Sequence, residues 1–182
     1  RFKVLRLEQQ LQQGKFDEVK AIIAAEPDPE APATWAMKLS MADYYYGFGR
    51  YPEALGIYQG FFKKYAGKPP EALLSFYLES EYKFAQMLLF LKKEHEALEA
   101  YRDLLQRPLE QHVKRQVQFE TAELLVRLAE QAAKPDERKK LLTEGRKICE
   151  DILWIQDLWF GRGIVLLAHI HVIEGGVETA QK

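Results

Sequence analysis

The chain has 182 residues, 47% hydrophobic and 12% aromatic, enough for a buried core and too apolar for a disordered segment. Its 26 basic residues are balanced by 27 acidic ones, with a pI near 6.5, so no net positive field draws it to nucleic acid or to an anionic membrane surface. No apolar run reaches the roughly 18–20 residues needed to cross a bilayer; the longest, residues 163–173, is interrupted by His169 and His171.

Apolar residues recur at three- and four-residue steps along nearly the whole chain, as in Leu74, Tyr77, Leu78, Ala85, Leu88 and Leu91. No stretch alternates with period two over the length of a strand, so the expected fold class is all-α. Helix-stopping residues fall at Gly14, the Pro27 to Pro32 cluster, Gly47 with Gly49, Gly67 to Pro70, Pro108, Pro135 and Gly175-Gly176. They predict helices near 2–13, 16–26, 33–47, 51–65, 70–92, 94–107, 110–133, 136–154 and 157–174, with Val177 opening a tenth.

Three alanine pairs, each twelve residues apart, mark expected helix crossings: Ala42 with Ala54, Ala85 with Ala97, and Ala168 with Ala180. Two antiparallel helices approach closely only where the facing side chains are small. Before the second member of a pair the surroundings recur: Gly49-Arg50-Tyr51 precedes Ala54 and Gly175-Gly176-Val177 precedes Ala180, while Gly14-Lys15-Phe16 precedes Val19 in the equivalent place. From Val19 through Ala54, Ala97 and Gly145 to Ala180 the intervals are 35, 43, 48 and 35 residues.

On these residues the chain resembles the tetratricopeptide repeat (TPR) family, whose unit of about 34 residues is a helical hairpin. The resemblance implies a right-handed α-solenoid of about four and a half hairpins, with residues 1–182 as one superhelical domain. The repeats fall near 1–30, 33–66, 70–108, a divergent 110–155 and an incomplete 157–182. Residues 54–88 are also loosely similar to TPR proteins of the bacterial cell envelope. In the third repeat Lys92-Lys93-Glu94 stands where the family turns with glycine; in the fourth, Gly145 replaces the alanine, and Ala122 and Ala129 compete as its partner. The unfinished last hairpin leads to the expectation of an excerpt from a longer protein, or of an open end that pairs with another chain, a homodimer included.

The resemblance also implies a concave groove lined by the first helix of each hairpin. That assigns Leu39, Asp43 and Tyr46 from the second repeat, Glu79, Tyr82, Lys83, Gln86 and Phe90 from the third, and Arg162, Val165 and His169 from the fifth. Tyr45 is expected to fill the hairpin interior. Repeat proteins that grip a chaperone's C-terminal carboxylate use a lysine and an asparagine, which Leu39 and Asp43 do not match.

No residue is singled out for catalysis, cofactor binding or metal binding. His169 and His171 lie two apart, about 200° around a helix, so they cannot chelate one ion; His171 is expected in the hairpin seam and His169 in the groove or solvent. Cys149, the one cysteine, lies among Leu142, Ile148, Ile152 and Leu153 as a small buried hydrophobe. Lys114 with Arg115 makes no basic patch. Arg1 begins the chain with no charged start and apolar core behind it, so a targeting signal is expected to be absent or removed, and the cytoplasm and periplasm both stay open. The expected function is a non-catalytic scaffold holding a partner's peptide or helix in the groove, with no nucleic acid and no membrane insertion. Self-association within an envelope or multiprotein assembly is the alternative, and a peptide-sensing regulator stands behind both.

Overall fold

A computed structural model describes residues 2–180, with side chains for residues 6–175. Among the described residues the regular structure is helical throughout: α1 (Phe2–Gln12), α2 (Phe16–Ala24), α3 (Pro32–Gly47), α4 (Tyr51–Tyr65), a 3₁₀ turn (Glu71–Leu73), α5 (Leu74–Phe90), α6 (Glu94–Leu105), α7 (Gln111–Gln131), α8 (Pro135–Ile152) and α9 (Leu158–Ala180). The chain divides into two compact units, Arg1–Lys93 and Glu94–Lys182.

In the first unit the turns explain the repeat. Gly14, at φ 69°, donates its N–H to the Leu11 carbonyl (2.9 Å) while Lys15 donates to Gln10 (2.9 Å). Gly49, at φ 71°, does the same with Tyr46 (3.0 Å), followed by Arg50 to Tyr45 (2.8 Å). This paired bonding closes a helix by satisfying its last carbonyls, and it needs a left-handed residue at its corner. The third turn has the same form without glycine: Lys92, at φ 61°, donates to Leu89 (3.0 Å) and Lys93 to Leu88 (2.8 Å). Val19, Ala54 and Ala97 each follow the left-handed residue by five positions, and all three are fully buried.

Small residues let α3 pack on α4: Ala42 and Ala54 are both fully buried on helices in contact. Rings fill the space around them. Tyr45 is buried as expected, stacked on Phe16 with centroids 4.2 Å apart. Phe61, also fully buried, lies 5.6 Å from Trp35, 5.2 Å from Tyr65 and 5.4 Å from Tyr77. The expected helix from residue 70 starts later, because the chain makes the 3₁₀ turn first, with the Leu73 N–H bonded to the Pro70 carbonyl at 2.8 Å.

In the second unit α7 and α8 form a long hairpin, and α9 packs on both. A methyl group on Gly145 would lie 3.7 Å from the Ala122 carbonyl oxygen and 3.6 Å from Leu125 Cβ, so Ala122, and not Ala129, is its partner at the crossing. The buried stripe of α9 is Leu166 and Ile170, packed with Ala122, Val126, Ala129, Leu142 and Cys149.

Two expectations about α9 fail. The helix continues to Ala180 through Gly175 and Gly176, since glycine permits a turn without forcing one and Gly175 keeps a helical φ. Ala168 and Ala180 therefore share one helix and do not mark a crossing; Ala168 is exposed, and the Ala180 side chain lies outside the described residues. His171 is also exposed and not in the seam, because Leu166 and Ile170 define the buried stripe and His171 stands one residue, about 100°, away from it.

Candidate functional site

The first unit brings seven of its eight expected groove residues onto the packed face of α3 and α5. Asp43 and Tyr46, three apart on α3, share a face, as do Glu79, Tyr82, Lys83, Gln86 and Phe90 on α5. The Tyr46 hydroxyl donates to Gln86 Oε1 at 2.7 Å, and Gln86 Nε2 donates to the Tyr82 hydroxyl at 2.7 Å. One turn away, Lys83 Nζ reaches Asp43 at 2.8 Å and Glu79 at 2.6 Å, while the Tyr58 hydroxyl donates to Asp43 from α4. Phe90 stacks on Tyr51 at 4.8 Å with planes 7° apart, and Tyr46 lies 5.8 Å from Tyr51.

The eighth residue, Leu39, is a correction. It is fully buried in the core because it shares the face of α3 that carries Trp35 and Ala42, so its side chain lines no groove. Tyr51 and Tyr58 were not assigned to the face; their place in the repeating pattern points inward, and only packing shows that the Tyr51 ring and the Tyr58 hydroxyl reach its edge.

The electrostatics of the face follow from this arrangement. Burial opposes the charge on Lys83, but Asp43 and Glu79 outweigh it and hold the ammonium above the ordinary lysine pKa. Burial raises the Tyr58 phenol, and the neighbouring Asp43 carboxylate raises it further, so this hydroxyl remains a donor at any ordinary pH. Lys83 is 18% exposed against 57% for Glu79. Phe90 is 54% exposed. The face therefore shows solvent a ring at one end and a carboxylate at the other.

In the second unit Arg162, Val165 and His169 come together, lining a shallow hollow with Phe119 and Glu123. The Arg162 guanidinium lies 5.1 Å from the Trp159 ring and 5.9 Å from Phe119, and His169 Nε2 stands 3.2 Å from a Glu130 oxygen.

Sequence reasoning passed over Arg115. It is buried, donates to the Ile152 and Ile155 carbonyls at 2.8 and 2.9 Å, and grips Asp157 with two nitrogens, one at 2.7 Å. Asp157 in turn accepts from the Trp159 N–H at 2.8 Å as α9 begins. The signal was a charge on an otherwise apolar stripe, since Arg115 precedes Ala122, Val126 and Ala129 by 7, 11 and 14 residues. The junction it fixes carries Trp154, 86% exposed, and Leu158, 72% exposed.

Cys149 is fully buried, and burial pushes its thiol up to about 11, so it stays protonated near neutrality. Among the described residues, no group of three or more His, Cys, Asp and Glu side chains is placed to hold a metal ion. Among the same residues, no helix is long and apolar enough to cross a membrane.

No protein-family profile matches the sequence, and comparison with curated proteins returns no match. Solved structures do match: a predicted kinesin light chain of Podosopora anserina with nearly identical TPR-like repeats, and a variant of it. Each is 17% identical, covering 100% of this chain and 89% of that one at a TM-score of 0.63. With its all-helical repeats, left-handed turns and small residues at helix crossings, the chain has the fold of tetratricopeptide-like repeats.

Proposed function

We propose that this chain is a non-catalytic scaffold that binds another protein through the α3–α5 face of its first unit. The observation that carries the reading is Phe90, a half-exposed ring stacked on Tyr51 beside a hydrogen-bonded row from Tyr46 to Tyr82. Aromatic side chains held rigid on a surface supply contact area at little entropic cost and recur at binding hot spots. The row fixes the rings before a partner arrives, which keeps the ordering cost of binding low. The TPR-like fold supports a scaffold, and the protonated, buried Cys149 is unsuited to nucleophilic chemistry.

The test is affinity capture from the source cell with quantitative mass spectrometry, comparing the wild type with Phe90→Ala and with Trp154→Ala as a surface control in the second unit. A partner retained by the control and lost with Phe90→Ala is the expected result. Equal recovery with all three proteins would sink the assignment of this face. Tyr46→Ala is a poorer probe, because Tyr46 also packs against the core.

A second reading, self-association, is favoured by one observation: Leu158, Val165 and Val172, at seven-residue spacing on α9, are each about 70% exposed. Sedimentation over a range of concentrations tests it. A monomer at every micromolar concentration tried would remove it.

A further inference from the structure

Resting on the α3–α5 face as the binding surface, we propose that its occupant is an extended peptide segment bearing one basic side chain and, four residues away on the same side, an aromatic one. The face holds two carboxylates, Asp43 and Glu79, against one ammonium, Lys83, which is enclosed by both. The group left reaching into solvent is Glu79, so the face presents a negative charge at this end.

The far end differs. Phe90 stacks on Tyr51, and Lys92 and Lys93 follow Phe90 in the sequence, whereas Arg50, before Tyr51, is already paired with Glu53. A second cation is disfavoured there, whereas an aromatic ring can pack against the exposed side of Phe90.

Register follows from helix geometry. Glu79 and Phe90 are eleven residues apart on α5, three turns, and so share one side of the helix. Eleven residues at about 1.5 Å each span roughly 16 Å; an extended chain rises about 3.3 Å per residue and turns every second side chain to the same face, so a pair four apart, about 13 Å, faces both ends, with the long basic side chain covering the remainder. A segment with an acidic side chain or a free carboxylate at the Glu79 end meets like charge and is rejected.

Fluorescence anisotropy with defined peptides tests this. The probes are three labelled twelve-residue peptides of serine, glycine and alanine: one with lysine and phenylalanine four apart, one with glutamate replacing the lysine, and one with the pair eight apart. The wild type is expected to bind the first about fivefold tighter than the second, the effect of one exposed ion pair, and the preference should weaken with salt. Glu79→Gln should abolish that preference without changing the melting temperature appreciably. The third peptide should bind more weakly than the first.

Equal binding of the first two peptides, or a preference that survives Glu79→Gln, overturns the proposal, as does the absence of binding at millimolar concentration. Phe90→Ala separates this failure from that of the face itself. If the charge preference fails while Phe90→Ala still removes binding, the face stands and its chemistry is wrong. If Phe90→Ala leaves binding untouched, the face is wrong as well.

Discussion

The two units solve the same packing problem with different materials. In the first, rings fill the space beside the helix crossings: Phe16 on Tyr45, and Phe61 among Trp35, Tyr65 and Tyr77. In the second, the core around α7, α8 and α9 is small and aliphatic, and arginine–carboxylate pairs tie elements together: Arg102 with Glu144, Arg115 with Asp157, Arg127 with Glu94 and Arg146 with Glu174. Rings stabilise mainly through the apolar volume they bury, whereas a buried guanidinium such as that of Arg115 depends on its hydrogen bonds being satisfied. The first unit should thus respond mainly to lost volume, the second to lost partners.

Substitutions at four positions and one titration probe that contrast, each read by chemical denaturation or thermal melting. Phe61→Ala should be the most damaging, lowering the unfolding free energy by about 4 kcal/mol through lost transfer energy and a cavity ringed by aromatics. Arg115→Ala should cost about 3 kcal/mol, because it strands two carbonyls and a carboxylate, and Arg115→Lys should not rescue it, since an ammonium cannot reproduce the fork. A loss below about 1 kcal/mol for Arg115→Ala would erase the distinction between the units.

Acid should act on the same contact. Hydrogen bonding to Arg115 holds the Asp157 carboxyl below the ordinary aspartate value, followed by the backbone donor of Trp159. A depressed folded pKa gives stability that is complete above the unfolded value of about 4 and is lost as pH falls below it. Wild-type melting temperature should therefore fall more steeply than that of Asp157→Asn on going below about pH 4. Parallel curves would show the pair to be energetically silent.

The two smallest effects should be gains. A methyl group at Gly145 meets its neighbours at 3.6–3.7 Å, ordinary contact, so Gly145→Ala should stabilise by about 1 kcal/mol through helix propensity. Lys92→Gly should stabilise by about 0.5 kcal/mol: relief of the left-handed strain slightly exceeds the added freedom of the unfolded chain. If Lys92→Gly destabilises, the lysine side chain contributes more than its backbone costs.

Most of the helices could be read from the sequence because the stop signals are local: proline acts on its own turn whatever surrounds it, and Gly14 and Gly49 take the left-handed turns that glycine permits. The α3–α5 face was readable for a related reason. Asp43, Tyr46, Lys83 and Gln86 stand at fixed steps from Ala42 and Ala85, and helical spacing carries those steps into space. Leu39 escaped because four residues advance a helix 40° beyond a full turn, enough to move a side chain from the edge of a face into the core. The run through Gly175 escaped because a glycine's φ depends on what its neighbours require. Arg115 escaped because its partners lie about 40 residues away.

One consequence of the α8–α9 junction is spectroscopic. Trp154 stands almost wholly in water on a backbone clamped by Arg115, whereas Trp35 is buried beside Phe61. The red-shifted indole emission therefore reports on whatever covers that corner of the second unit, and the blue-shifted one on the integrity of the first. Trp159→Phe would leave Trp35 and Trp154 as the two emitters, so that the remaining fluorescence separates unfolding of one half from events at the other, without any added label.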